Sequence, residues 1–463
     1  MAFGETPRYN RLLESGARRY LIRLDLKPAQ TLALSFATAI LLGAVLLYLP
    51  AATTPGHRIT FMDALFTATS AVCVTGLTVV DTGASFTPWG QWVILFLIQI
   101  GAIGIMTFAA VFAALFGGGM GIRDRLVMQD VLDLESMGGV ARLIKAVFKA
   151  TLAIEAIGAL LLYLLFLPYA STQGQAGYLA VFHAISAFAN AGFSVFPNSL
   201  MDFRGNIGIN LVIIALVFAG GLGFSVIVNL RDYLFPGEKP HPLTLHSKVI
   251  LTTTLLLVFL GGILLLLTEW RGLYRGMPAG EAVLASTFQS VVSRTAGFNT
   301  IDVSLIGSGT ILVLIFLMAI GGGPGSTAGG VKITTLAVLF ATARALYRGR
   351  ETPELFHRSL PRDIILKAVT LSTLAVIGLL LATLILSFTE QAPLQQILFE
   401  AASALGTVGL SMGLTPHLSP LGKIVVIFLM FIGRIGPLGL ILAIGQRRKK
   451  GLYYYPEERV IMG

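Results

Sequence analysis

FTATSAVCVTGL, residues 66–77, is the stretch whose reading decides the fold. It is apolar enough for a membrane but too short to cross one, because about 30 Å of hydrocarbon takes roughly 20 helical residues. It breaks off at Val74-Thr75-Gly76-Leu77, and the chain then runs through polar residues past Asp81. The pattern returns as FHAISAFANAGF from Phe182, FQSVVSRTAGF from Phe288 and FEAASALGTVGL from Phe399. Each copy opens on Phe, runs about ten helix-compatible residues, and closes on a polar or small residue, Gly, and then Leu or Phe. Gly76, Gly192, Gly297 and Gly409 are 116, 105 and 112 residues apart, so the chain holds about four copies of one unit. A second marker keeps the same phase. A G-x-x-G follows each glycine by 24 to 28 residues, at Gly101/Gly104, Gly220/Gly223, Gly322/Gly325 and Gly433/Gly436.

The composition sets these segments in lipid. Of 463 residues 55% are hydrophobic and 12% charged, with a mean hydropathy of +0.82, outside the range of soluble domains. The apolar runs are long rather than short and alternating, which points to an all-α integral membrane protein and not a barrel. Eight spanning helices are expected, near 30–50, 90–116, 140–168, 205–230, 243–268, 308–345, 361–389 and 420–445. With one short segment between the members of each pair, the chain divides into a cytoplasmic N-terminal segment (1–29), four pore repeats (30–117, 118–231, 232–348 with a broken second helix, and 349–446) and a cytoplasmic tail (447–463). Two spans return the chain to its starting side, so the four units share one orientation, which suits a four-fold pseudosymmetric central pore.

The charges fix the sidedness. Residues 1–29, 117–150, 231–248, 341–367 and 446–463 hold 25 of the 33 Arg and Lys, while the alternate connections hold five. The positive-inside rule then places both termini in the cytoplasm. The net charge of +10 is topological, with anionic membrane lipid or an acidic partner as its company and no nucleic acid. Six basic residues precede the first apolar run with no small-residue cleavage site behind it, so a removable signal peptide is not expected. The single Cys73 cannot form an intramolecular disulfide and reads as a small packing residue. No Cys/His spacing suggests zinc.

Irregular backbone at membrane depth survives only where protein buries it or water lines it. Four such turns around one axis would present rings of carbonyl oxygens able to replace a cation's hydration shell. The half-helices would add partial negative charge from their C-terminal ends. A single Thr-x-Gly reads as a plain interhelical turn; four in register read as a filter. Val74-Thr75-Gly76-Leu77, Asn190-Ala191-Gly192-Phe193, Thr295-Ala296-Gly297-Phe298 and Thr407-Val408-Gly409-Leu410 resemble the filter loops of the Trk/Ktr/HKT superfamily of potassium transporters. The resemblance runs from about residue 28 to the C-terminus and is greatest to the Ktr-type membrane subunit, since no extra helix pair precedes the first unit. It implies potassium at Thr75, Gly76, Gly192, Gly297 and Gly409. Each loop offers one glycine, unlike the T-V-G-Y-G of tetrameric channels.

Two features read as a gate. Ala319 to Thr335, AIGGGPGSTAGGVKITT, carries Gly321, Gly322, Gly323, Pro324, Gly325, Ser326, Thr327, Ala328, Gly329 and Gly330. Gly costs about 1 and Pro about 3 kcal/mol relative to Ala inside a helix, so the sixth span must break here. The stretch is no phosphate-binding loop, because Gly330-Val331-Lys332-Ile333 lacks the required Gly-Lys-Ser/Thr. It reads as a loop across the pore or as a plain hinge, and the resemblance implies the former. Arg434 in FIGRIGPLGL is too deep to snorkel easily and should face the bundle interior. It takes the register position of Ala102, Gly221 and Gly323. It could pair with Glu155 or a loop carbonyl, or stand as an electrostatic barrier, and the resemblance implies the barrier. Asp81 and Asp302, five residues beyond Gly76 and Gly297, read as outer-mouth carboxylates or solvated loop residues, and Trp89 and Trp92 as an interfacial belt.

Two other classes compete with a potassium transporter. An intramembrane hydrolase lacks support, with no G-x-S-x-G and Glu155 as the one deep carboxylate; the chain is not expected to be an enzyme. A coupled symporter of another substrate stays open on the residues alone. No covalent cofactor is expected, and the cytoplasmic segments are too short for a nucleotide-binding domain. The resemblance implies sodium as an activator, a homodimer, and a cytosolic ring of nucleotide-binding regulatory subunits (KtrA-like), with contacts expected at 341–367 and the C-terminal tail.

Overall fold

A computed structural model describes residues 28–104, 140–235, 242–436 and 458. Fourteen helices longer than one turn lie among the described residues: α1 Pro28–Tyr48, α2 Phe61–Val72, α3 Pro88–Ile103, α4 Val140–Phe166, α5 Gln173–Phe188, α6 Ile207–Leu222, α7 Phe224–Leu234, α8 Leu245–Glu269, α9 Ala279–Val292, α10 Ser308–Met318, α11 Ile333–Tyr347, α12 Arg362–Thr389, α13 Leu394–Gly406 and α14 Pro420–Ile435. α1, α4, α8 and α12 are long and apolar enough to cross a membrane, and the α6–α7 pair makes a fifth span if its bend is counted through. The outward face of α12 exposes Leu380, Leu384 and Phe388, the arrangement of a helix in lipid. Of the expected cytoplasmic ends, 1–29 and 447–463, only residues 28, 29 and 458 are described, and the far part of the 90–116 and 420–445 runs also lies outside the described residues.

Helix starts follow local chemistry. Thr87 and Ser419 cap α3 and α14 from in front of Pro88 and Pro420, where a missing N–H costs nothing. α2 opens with a capping box, Thr60 Oγ1 accepting from the Asp63 N–H while Asp63 accepts from the Thr60 N–H. The buried Glu269 and Glu390, at the ends of α8 and α12, accept backbone N–H groups of Gly307 (2.8 Å) and Ser419 (3.0 Å) at the entrances to α10 and α14. Each places a carboxylate on the positive end of the helix that follows its unit's short Phe-led helix.

The apolar runs 205–230 and 308–345, expected as spans, are not straight. α6 and α7 meet at 106° across Gly223, whose φ of +98° ends the helix. Between α10 and α11 the glycines and Pro324 leave an irregular crossing, as the sequence predicts. The short Phe-led segments are helices of 12 to 16 residues that begin five to nine residues ahead of their Phe. Within 341–367 a two-residue turn, Phe356 and His357 both at positive φ, joins strands β1 Glu354–Leu355 and β2 Arg358–Ser359.

The core closes the chain on itself. One buried cluster combines Phe66, Val72 and Ile94 with Leu386, Ile397, Val426 and Met430, joining the first quarter of the chain to the last. A second joins Phe188 and Ile213 to Phe288 and Val292, and a third Leu265 and Leu314 to Phe399 and Val408. At the start of α2 and α14 Lys423 Nζ bonds Asp63 Oδ1 at 2.7 Å, 360 residues apart in sequence. Burial alone would raise the Asp63 carboxyl, but hydrogen bonds from Lys423 and Thr60 and the Lys423 charge leave it below the usual carboxylate range.

Candidate functional site

The four short helices α2, α5, α9 and α13 end in the same way. Val74, Asn190, Thr295 and Thr407, each two residues before its glycine, take left-handed φ of +55°, +58°, +80° and +51°. Three of the four are β-branched, for which this conformation is costly, of order 1–3 kcal/mol each. Gly76, Gly192, Gly297 and Gly409 follow at φ of +91°, +69°, +71° and +98°. The turns are tied back to their helices. The N–H groups of Thr75, Ala191 and Val408 each donate to the carbonyl five residues earlier, at Ser70, Ser186 and Ser403, all at 2.8 Å. Ser70 and Ser403 hydroxyls also accept from the Gly76 and Gly409 N–H groups, at 3.0 and 3.1 Å. The third copy is one residue shorter between Phe and Gly, and Ala296 N–H reaches Val292 instead, at 2.9 Å.

These turns meet in a closed ring. A methyl group placed on Gly76 would lie 2.5 Å from the Ala191 carbonyl oxygen and 3.1 Å from the Gly192 Cα. One on Gly192 would meet the Ala296 carbonyl and the Gly297 Cα, and one on Gly297 the Val408 carbonyl and the Gly409 Cα. Gly409 completes the circuit against the Thr75 carbonyl and the Gly76 Cα. Positive φ and this approach both exclude a side chain at each of the four positions. Outside the ring lies a cavity of ≈ 360 Å³ lined by all four glycines, Asp81, Asp302 and further polar side chains. Asp81 Oδ1 caps the one-turn helix Thr82–Ser85 through the Ala84 N–H (2.8 Å), and Asp302 Oδ1 accepts from Ser304 N–H (2.9 Å), so both are held at the mouth by local turns.

Beneath the ring the G-x-x-G glycines do the packing. Gly101, Gly220 and Gly433 face the carbonyls of Val72, Phe188 and Leu405, at or next to the ends of α2, α5 and α13, where any Cβ would collide. The second glycines Gly104, Gly223 and Gly436 end their helices at φ of +85°, +98° and +87°. In the third unit the helix ends earlier, at Met318, and residues 319–332 cross under the ring. This segment is pinned by backbone bonds from Gly323 to Gly221 (2.9 Å), Thr327 to Gly220 (3.2 Å), Phe224 to Gly325 (3.0 Å) and Gly330 to Gly433 (3.2 Å). Thr327 Oγ1 lies 2.8 Å from the Asn190 side-chain amide and bonds the Gly220 carbonyl at 3.1 Å. Arg434 donates to the carbonyls of Thr327 and Gly101, so it couples the crossing segment to α3. Glu155, the other partner considered for Arg434, bonds Gln99 at 3.0 Å. Cys73 is buried at the end of α2, and Trp89 and Trp92 are about half exposed.

Sequence reasoning missed one set of residues. The second position of each Phe-led motif is polar and buried in all four copies: Thr67, His183, Gln289 and Glu400. His183 Nε2 lies 3.0 Å from Ser194 Oγ, and Glu400 Oε2 2.9 Å from Ser411 Oγ, while Glu400 Oε1 is met by Thr415 Oγ1. The signal was a column that is polar in every copy directly after the Phe, visible only with the copies aligned.

A mostly helical membrane protein, its one described departure the short β1–β2 hairpin, with four short helices ending at one ring of glycine backbone, a polar cavity on one side of it and an irregular segment on the other, is the class defined so far. The model of the TrkH family, described as a cation transport protein, matches residues 28–448. The Ktr system potassium uptake protein B of Bacillus subtilis is 42% identical over 94% of this chain and 97% of its own length. The potassium/sodium uptake protein NtpJ of Enterococcus hirae is 40% identical over 96% of this chain and 98% of its own. The crystal structure of the potassium transporter TrkH from Vibrio parahaemolyticus superposes with a TM-score of 0.72, covering 91% of this chain and 86% of that one at 22% identity. The chain belongs to the TrkH family of cation transport proteins, a transporter family and not an enzyme family.

Proposed function

We propose that this chain is the membrane subunit of a potassium uptake system, with potassium as its substrate. The observation that carries the reading is the closed ring of Gly76, Gly192, Gly297 and Gly409, each preceded at the same distance by a left-handed residue. Such backbone turns the carbonyls of 74–77, 190–193, 295–298 and 407–410 toward one axis, where they act as the filter. The names of the Bacillus and Enterococcus relatives both include potassium, and the second adds sodium, which favours sodium as an activator.

In this reading eight spans form four same-sense repeats around the pore, multi-pass in the plasma membrane with both termini cytoplasmic. The 321–330 segment and Arg434 form the gate below the filter. Arg434 holds the crossing segment closed through the Thr327 carbonyl and sets a positive charge in the cation's path. Asp81 and Asp302 concentrate cations at the mouth. The Bacillus relative is named as part of a Ktr system, which favours a separate regulatory subunit; in this reading that subunit is a cytosolic nucleotide-binding ring, docked on the basic 341–367 segment with its β1–β2 hairpin and on the tail, and this chain works with it as a homodimer.

Rubidium uptake by protein reconstituted in liposomes, with and without sodium, tests this. Uptake competed by potassium is expected. Absence of cation flux under either condition, in protein shown to be folded, would overturn the reading.

A further inference from the structure

The residues two positions after the ring glycines, Thr78, Ser194, Asn299 and Ser411, all line the outer cavity. Two of them are held from behind by a buried side chain of the same unit. His183 is fully buried, which disfavours the charged imidazolium and keeps the ring neutral; its Nδ1 lies 2.8 Å from the Leu179 carbonyl, which can only accept, so the single ring proton sits on Nδ1 and Nε2 is an acceptor. The Ser194 hydroxyl must therefore donate to His183, and its oxygen already accepts the Phe196 N–H at 3.0 Å. Ser411 repeats the arrangement, donating to the fully buried Glu400 at 2.9 Å and accepting the Gly413 N–H at 3.1 Å. Burial raises the Glu400 pKa to about 7, against the hydrogen bonds from Thr415 and Ser411; above that pH the group is a carboxylate, which only accepts, and the proton direction is again fixed. In the first and third units the equivalent Thr67 hydroxyl and Gln289 amide make no hydrogen bond. The ring order 76, 192, 297, 409 puts the second and fourth units opposite each other.

We propose that His183 and Glu400 are positioning residues that take the hydroxyl protons of Ser194 and Ser411 and so leave two opposed oxygens facing the cavity as acceptors only, ligands for a monovalent cation shedding water just outside the glycine ring. A free hydroxyl could turn its proton toward the ion; these two cannot. The fixed carboxylate behind the fourth loop adds attraction for the same ion. The inference rests on the potassium reading above and adds to it the origin of affinity at the entrance.

The test uses the full chain in liposomes, with rubidium as the probe ion and sodium as competitor. Glu400→Gln keeps the shape but removes the charge and offers Ser411 an N–H. It is expected to raise the half-saturation concentration for rubidium roughly tenfold, the scale of one charge-assisted hydrogen bond, with a much smaller change in maximal rate. Ser411→Ala and Ser194→Ala should each raise it several-fold. Glu400→Gln/Ser411→Ala should match the more severe single variant, because residues acting as one unit are non-additive. Half-saturation and sodium competition equal to wild type in Glu400→Gln, or full additivity in the double variant, would overturn the proposal. If Glu400→Gln does not fold, the two serine variants decide, and wild-type affinity in both overturns it. No rubidium uptake by the wild-type chain would instead remove the potassium reading itself.

Discussion

The outer face of the glycine ring and the floor beneath it are made by the same four units, yet one is repetitive and the other is not. In the ring, four turns reproduce the same pair of positive φ values and the same contact with the next glycine. In the floor, one unit ends its helix early and sends residues 319–332 across, another bends by 106°, and the last brings Arg434. Backbone that must converge on one axis tolerates little variation, because every copy bounds its neighbours. The floor has to differ between units, since a segment crossing a symmetric opening can come from only one side.

The sharpest way to break the comparison is at the packing that both layers share. Gly220→Ala pushes a Cβ into the Phe188 carbonyl, and the overpacking should cost about 1–3 kcal/mol, read as a lower thermal midpoint of the detergent-solubilised protein. An unchanged midpoint would mean that the helix end is not held there. Next come Gly76→Ser and Gly297→Ser, which should each reduce potassium over sodium preference by about tenfold, ~1.4 kcal/mol, in competition flux assays. Preference equal to wild type in both would remove the ring from ion selection. In the floor, Arg434→Ala or deletion within 321–330 should raise cation flux a few-fold, ~1 kcal/mol; flux matching wild type in both would leave these residues a structural role alone. The smallest effect is expected at the rim. Lys423→Met breaks the Asp63 pair and should cost about 0.5–1 kcal/mol near neutral pH. Because the Asp63 carboxyl is held below its ordinary value, that stabilisation is present above the unfolded carboxylate range and lost as pH falls through the lowered pKa. A difference between variant and wild type that persisted in acid would show that charge is not its source.

The ring was legible in the sequence because its glycines recur in phase with the G-x-x-G markers, and a backbone requirement leaves an invariant mark each time it is repeated. The break at 319–332 was legible for a related reason, the density of Gly and Pro. The bend at Gly223 was not, since a glycine inside an apolar run reads equally well as helix packing, and Gly220, three residues earlier, is in fact that. For Arg434 the sequence left Glu155 and a loop carbonyl open, and which carbonyls it meets could not be read. They are carbonyls of Thr327 and Gly101, and a backbone acceptor leaves no trace in residue type. His183 and Glu400 were hidden because the four polar residues of their column differ, and an alignment by eye rewards identity.

The clasp of Lys423 on Asp63, with the core cluster that joins the first and last quarters of the chain, also sets an order of events during synthesis. A ring whose members are spread from Gly76 to Gly409 has no closed form until the last of them leaves the ribosome, and contacts of such sequence separation are slow to make. Until then the first three units hold strained turns with no fourth neighbour. Truncation before Gly409 therefore yields a chain with no closed ring, rather than a weaker one, and its exposed edges are what quality-control proteases would meet first.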